Sequence, residues 1–430
     1  MDFKKLLATK KKSELSESQI QEFVHSVKNS ELTDKQIFEF VKLSNQVGCT
    51  NAEVYYMAKH MAFSGNMLNL SAELGFCVDK HSAGSVSDGM SLILMSVLAS
   101  LGIKFVRVVS NTYGIHGNLL HKLSKFRGFS AYLTKAEMFQ KANWCGVGLL
   151  QDQGNIAPVA AKMYKICKDN DLMVEPVVSA SIMANKIATG ASLLVVDVKS
   201  GEGSVVGTDK SLDLANRLVA VGNMANIKTV SVVTDFNWPI LASVGVGLEL
   251  QEIKDTLSNA KEYIGSNILK LAKEMVTCVL LSSGKATGRT QASEMFDSVI
   301  LSGEAYNKFC EIIETYGGDV QSINRTEKLI NTAVTYITAD YNGYVGDILL
   351  DKLYKNTSFI ISNKGEYDSD AGLVLMCAEG DRVVAGQKLA KVFYSHNNPR
   401  YFKVAQELYN SFKITKDKPA HTNLFIKVVV

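Results

Sequence analysis

Val78-Asp79-Lys80-His81-Ser82-Ala83-Gly84-Ser85-Val86-Ser87-Asp88-Gly89-Met90-Ser91 lies where one apolar run gives way to a polar, glycine-containing loop and then to a second apolar run. The apolar run Leu74 to Val78 reads as a strand, and Met90 to Leu101 reads as a long apolar helix. Small and hydroxylic residues lie between them. A strand–loop–helix join of this kind presents free N–H groups at the positive end of a helix dipole, which favours an anion. Lys80 adds a point charge, while Ser82, Ser85, Ser87 and Ser91 add hydroxyl donors. Asp88 suits the helix N-cap. The plain alternative is an ordinary strand–helix turn capped by Ser or Asp. His81 favours the anion site, because an imidazole beside such a cradle shifts a proton near neutral pH.

Upstream, residues 1 to about 70 read as helices. Ser16, Thr33 and Thr50 stand at helix starts, the last in a capping box with Glu53. Apolar residues follow at helical spacing: Ile20, Phe23, Val24 and Val27, then Ile37, Phe40 and Val41, then Val54, Met57 and Met61. These stripes need a partner surface, in this chain or in a second copy of it.

Downstream, strand and helix alternate. Lys104 to Val109 reads as a strand, followed by the polar, Gly-containing loop Ser110 to Asn118. Mixed or helical sequence runs to about 190, with helices over Ala157–Cys167 and Val177–Ile187. Ser192 to Val198 is a continuous apolar strand of the buried, parallel type, and Lys199-Ser200-Gly201-Glu202-Gly203-Ser204 follows it. A helix over Ser211–Ala225 and a strand over Thr229–Thr234 come next. Three Gly- and Ser-rich loops therefore each follow a strand, and in open parallel sheets ligands sit beyond the carboxyl ends. That places Lys80, His81, Ser110 and Lys199 near one cleft. Residues 240 to about 330 read as helices, and from Thr335 the pattern turns to strands and turns.

Composition sets the outer limits. The chain has 430 residues, 47% hydrophobic and 21% charged, with a net charge of +3. That charge is too small to argue for nucleic acid or a membrane surface. No apolar run reaches membrane-spanning length, and the basic start lacks the apolar core of a signal peptide. A cytoplasmic chain is expected. The seven cysteines are scattered and form no close pair, which argues against disulfides and a zinc site.

The motifs, taken in order, resemble the thymidine and pyrimidine-nucleoside phosphorylase family. Asp79 to Asp88 is similar to its DKHSTGGVGD stretch, Val177 to Lys186 to its base-pocket helix, and Asp197 to Gly203 to its DVKxGxG stretch. Gly317-Gly318-Asp319, Gly343-Tyr344-Val345 and the run from Ala371 to Ala390 follow in the family's order. The resemblance implies a small all-α domain, a larger α/β domain with a mainly parallel sheet, and a β-rich C-terminal subdomain. It divides the chain into helical parts at 1–70 and 156–190, α/β parts at 71–155 and 191–330, and an α+β end at 331–430. The implied reaction is phosphate-dependent cleavage of a pyrimidine nucleoside to base and pentose 1-phosphate. Inorganic phosphate is then a co-substrate and no other cofactor is called for. A homodimer through the helical domain is also implied.

Residue by residue, the resemblance assigns phosphate contacts to Lys80, Ser82, Ser91 and Ser110, and the base carbonyl to His81. Tyr164, Ser181 and Ile182 match the base pocket. The family's pocket lysine falls on Asn185, with Lys186 one place later, and its base-reading arginine is absent. Lys168 is the nearest cation to that arginine, and Lys lacks Arg's planar fork. These departures leave a second reading: a weak or inactive member that binds phosphate, a nucleotide-like ligand or a partner. A phosphoribosyltransferase ranks lower, since no acidic pair is placed to hold magnesium pyrophosphate.

Overall fold

A computed structural model describes residues 1–430 except 85–88, 111–117, 203, 324–331, 364–365, 368–369, 396–400 and 420–422. Four helices open the chain: α1 (Phe3–Lys10), α2 (Glu17–Lys28), α3 (Asp34–Val47) and α4 (Asn51–Ala62). The last three each start on a capping box, Ser16 with Gln19, Thr33 with Gln36 and Thr50 with Glu53. Their apolar stripes are buried, and the Phe23 and Phe40 rings lie 4.1 Å apart.

A short helix α5 (Leu70–Leu74) leads into strand β1 (Cys77–Ala83). Then come α6 (Met90–Ser100), β2 (Lys104–Ser110), α7 (Leu119–Leu123), α8 (Lys135–Cys145) and β3 (Val147–Asp152). The chain returns to the helical layer as α9 (Pro158–Asp169) and α10 (Glu175–Thr189). It re-enters the sheet as β4 (Leu193–Ser200), α11 (Ser211–Met224) and β5 (Lys228–Asp235). α9 and α10 pack on α1–α4 in one apolar core. The stripes of residues 20–62 are thus covered by this chain itself, and they supply no argument for a second copy.

The five strands lie in the order β3-β2-β1-β4-β5, all parallel. Strand order reverses between β1 and β4, and such a switch point opens a crevice beyond the strand ends. One face of the sheet meets α10, α11 and the helical layer; the other meets α6 and the helices after β5. Those are α12 (Val246–Ser258), α13 (Ala260–Tyr263), α14 (Asn267–Ser282), α15 (Arg289–Leu301) and α16 (Glu304–Thr315), following the short strand β6 (Ser243–Val244).

The C-terminal part contains β7 (Thr332–Thr338), β8 (Gly343–Ile348), α17 (Leu350–Ile361), β9 (Ser362–Asn363), β10 (Glu366–Tyr367), β11 (Gly372–Leu375), β12 (Arg382–Val383), β13 (Lys388–Ser395), α18 (Tyr401–Tyr409) and β14 (Phe412–Thr415). Its sheets are antiparallel. The last strand, β15 (Phe425–Val429), leaves that part and pairs antiparallel with β5 at the edge of the main sheet. Among the described residues, no helix is long and apolar enough to cross a membrane.

Two expectations change. Leu74 belongs to a helix, and β1 runs through Asp79, Lys80, His81 and Ser82 instead of ending at Val78. The reason is β4, which pairs with β1 from Val78–Leu193 to Ala83–Val198 and brings charged partners to its polar residues. Strand β3 lies within sequence read as mixed or helical; Gly148, Gln151 and Asp152 interrupt its apolar run.

Candidate functional site

Side chains alternate along β1, so Lys80 and Ser82 face the α6 side while Asp79 and His81 face the helical layer. On the α6 side, Ser82 stands opposite Asp197 in the β1–β4 register. Ser82 Oγ donates to Asp197 Oδ2 at 3.4 Å, and Lys80 Nζ lies 4.0 Å from the same oxygen. Lys199 Nζ lies 2.7 Å from Asp197 Oδ1 and 5.1 Å from the centre of the Phe236 ring. Lys80 is 0% exposed, Asp197 1% and Lys199 4%. A buried charge is costly without a partner, so one carboxylate here serves two ammonium groups. Ser91, in the first turn of α6, is also buried. A pocket beside this group is lined by Gly89, Met90, Asp197, Lys199, Phe236 and Tyr354 among others.

On the opposite side, Asp79 carries the charge. Its Oδ2 accepts from Lys186 Nζ at 2.7 Å, its Oδ1 accepts from the Lys80 amide at 2.7 Å, and Arg107 Nη1 lies 3.6 Å from Oδ1. The registered pairs of β1 with β2 are Cys77–Lys104 and Val78–Phe105, so the Asp79–Arg107 contact sits just past the end of that ladder. Lys186 reaches Asp79 from α10, which ends beside the start of β1: the Ser192 amide donates to the Cys77 carbonyl at 3.0 Å. α10 therefore runs from the carboxyl edge of the sheet toward its amino edge. Ile182, one turn before Lys186, lies about 6 Å nearer the carboxyl edge.

The remaining sequence-predicted residues divide. His81 is half-buried on the helical-layer face of β1. Ser181 and Ile182 are buried on α10, and Ser181 Oγ donates to the Ala160 carbonyl of α9 at 3.5 Å. Tyr164, on α9, packs against the same core, and burial pushes its hydroxyl pKa up. Lys168, in the last turn of α9, is exposed. Lys186 points inward but is engaged with Asp79, so the structure shows it bracing β1. Asn185 folds back on its own helix, Nδ2 donating to the Ser181 carbonyl at 2.9 Å. Ser110 ends β2, paired with Asp152; its side chain lies outside the described residues. So do Ser85, Ser87 and the proposed cap Asp88. The described N-cap of α6 is Gly89, with no side-chain cap bond.

Sequence reasoning passed over Asp79, Arg107 and Asp197 as working parts. A signal was present. Asp197 and Lys199 stand two apart in a strand whose other residues are apolar or hydroxylic, and Asp79 and Lys80 sit in its neighbour. Charges at such positions must find partners across the ladder.

The protein is thus of the α/β class, with a buried ionic centre at the switch point of a mainly parallel sheet. Pyrimidine-nucleoside phosphorylase of Bacillus subtilis (strain 168) is 29% identical over 369 residues, 84% of each chain. Pyrimidine-nucleoside phosphorylase of Geobacillus stearothermophilus is 28% identical over 377 residues, 86% of each chain. That of Staphylococcus aureus (strain NCTC 8325 / PS 47) is 30% identical over 348 residues, covering 79% of this chain and 78% of its own. No protein-family model matches the chain. Among solved structures, anthranilate phosphoribosyltransferase of Thermus thermophilus shares the fold at a TM-score of 0.57 and 14% identity, over 74% of this chain and 99% of that one. The chain belongs to the pyrimidine-nucleoside phosphorylase family.

Proposed function

We propose that the protein is a cytoplasmic pentosyltransferase of the nucleoside phosphorylase type. It cleaves a pyrimidine nucleoside or deoxynucleoside with inorganic phosphate to free base and pentose 1-phosphate. One observation carries the reading: the consecutive residues Lys80 and His81 of β1 face opposite sides of the sheet. Lys80 faces α6 and its buried serine, whereas His81 faces the layer holding Tyr164, Ser181 and Ile182. Phosphate held by Lys80, Ser82, Ser91 and Ser110 would lie beneath the sugar. A phosphate oxygen forms the new bond to C1′ as the C1′–N bond breaks, and the base leaves with the electron pair. His81 stabilises that charge at the base carbonyl and delivers a proton. Family membership supports the same reaction. Turnover across thymidine, uridine, deoxyuridine and cytidine, with and without phosphate, tests it. No phosphate-dependent turnover by well-folded protein would sink it.

The second reading, a weak or inactive member that binds phosphate, a nucleotide-like ligand or a partner, has its own support. Lys168 is exposed, Lys186 is committed to Asp79, and Asn185 bonds its own helix. Phosphate binding without turnover would favour it. We further propose a homodimer through α1–α4, where Val47 and Phe63 are exposed. Light scattering at micromolar concentration tests that, and a stable monomer contradicts it.

A further inference from the structure

Helix α10 is held by an ion pair near each end, to helix α11 at its start and to strand β1 near its end. At its start, Arg217 of α11 donates from Nε to Glu175 Oε1 and Oε2 at 2.8 and 3.0 Å. The same guanidinium donates from Nη1 to the Cys49 carbonyl at 2.9 Å and to Asn51 Oδ1 at 3.0 Å, so it also holds the start of α4. Ser179, one turn into the helix, donates to Glu175 Oε1 at 2.8 Å. Near its end, Lys186 Nζ meets Asp79 Oδ2 at 2.7 Å, and Glu175, Lys186 and Asp79 are all at least nine-tenths buried. Glu175 and Lys186 are separated by about 16 Å along the helix axis. Ser181 and Ile182 lie between them.

We propose that Glu175 and Lys186 are positioning residues, which fix the axial register of α10 against the strand bearing Lys80 and His81. An apolar helix face slides with little resistance, because hydrophobic contact is non-directional. Two buried charges about three turns apart, one paired with α11 and the other with β1, remove that freedom. A shift of one turn would take Lys186 away from Asp79 and strand both charges. The backbone crossings near the sheet's edge act in the same sense. The Asn66 amide donates to the Asn155 carbonyl at 2.8 Å, and the Leu68 amide donates to the Ala188 carbonyl at 2.7 Å. At Gly65 a Cβ would come within 2.2 Å of the Asn155 carbonyl oxygen, so this crossing requires glycine. Asp79 is the residue that joins α10 to the strand bearing Lys80 and His81. The same residue lies directly before Lys80 and receives its amide. This inference rests on the function proposed above in taking Ser181 and Ile182 as base contacts.

The experiment compares the native chain, Lys186→Arg, the neutralised pair Asp79→Asn with Lys186→Met, and the neutralised pair Glu175→Gln with Arg217→Met. Three readings are taken: hydrogen exchange over 175–189, calorimetric titration with inorganic phosphate, and nucleoside kinetics. In each neutralised pair, exchange over 175–189 is expected to quicken at least tenfold. Phosphate affinity should stay within threefold, because Lys80 and Ser82 face the other side of the sheet. Nucleoside KM should rise at least tenfold while kcat falls less than threefold, and Lys186→Arg should return KM to within threefold of native. Faster exchange with an unchanged KM overturns the inference, since the pairs would then serve stability alone. Unchanged exchange in both neutralised pairs overturns it as well. If one pair does not fold, the other decides by the same readings. If the native protein turns over no nucleoside, the proposed function fails by itself and the exchange reading alone judges the pinning.

Discussion

Lys80 and Asp197 face each other across the switch point of the sheet, Nζ to Oδ2 at 4.0 Å, with neither side chain reaching solvent. Lys80 is therefore a charge already held in place before any anion arrives. Replacing Lys80 by Ala removes that charge and leaves Asp197 with Lys199. Affinity for inorganic phosphate is expected to fall at least tenfold, read by calorimetry. Ser91→Ala removes one neutral donor and should cost less, about 0.5–1.5 kcal/mol.

The helical layer predicts its own weak points. Phe23 is fully buried against Phe40, so Phe23→Ala leaves a cavity and should destabilise by about 3–5 kcal/mol. Thr33→Ala breaks the capping box with Gln36 and should cost about 1 kcal/mol. Urea melts of both variants check the ranking. Equal losses would contradict it.

His121, in α7, gives a pH dependence with a definite sign. Burial, then the nearby Lys125 and Lys122 charges, holds its pKa below the usual imidazole value. The unfolded chain therefore binds the proton more readily than the folded one, and stability falls as pH drops through about 6.5 and below. Melting temperature measured between pH 7.5 and 5.5 should fall less for His121→Gln than for the native chain. Parallel curves would show that His121 does not set this dependence.

Thiol chemistry should be slow. Burial is the first cause that pushes Cys167 up to about 11 and Cys278 up to about 12. The thiolate is the nucleophile, so alkylation of both at pH 8 should lag a free-cysteine standard by more than tenfold. Mass mapping after timed iodoacetamide treatment reads this directly.

Much of the fold was legible because its signals are local. Ser16, Thr33 and Thr50 announce helices by cap chemistry that needs only the next three residues. The unbroken apolar run of β4 announces a strand buried on both faces. What escaped depends on the partner. Asp79 to Ser82 look like loop residues until β4 supplies Asp197 across the ladder. Lys186 meets Asp79, a residue 107 positions earlier in the chain, and nothing beside either residue names the other. β15 was hidden for the same reason, since nothing in Phe425 to Val429 names β5 as its neighbour. Charge pairing across such separations is a property of the assembled sheet, and one-dimensional spacing does not carry it.

Phosphate-dependent transfer of a pentosyl group is read by phosphorus NMR of a running reaction. Native protein is mixed with inorganic phosphate and each pyrimidine nucleoside in turn. A growing pentose 1-phosphate signal that matches the free base released is expected, and its loss in Lys80→Ala. Release of base with free pentose, or no new phosphorus signal with any nucleoside from folded protein, would contradict it.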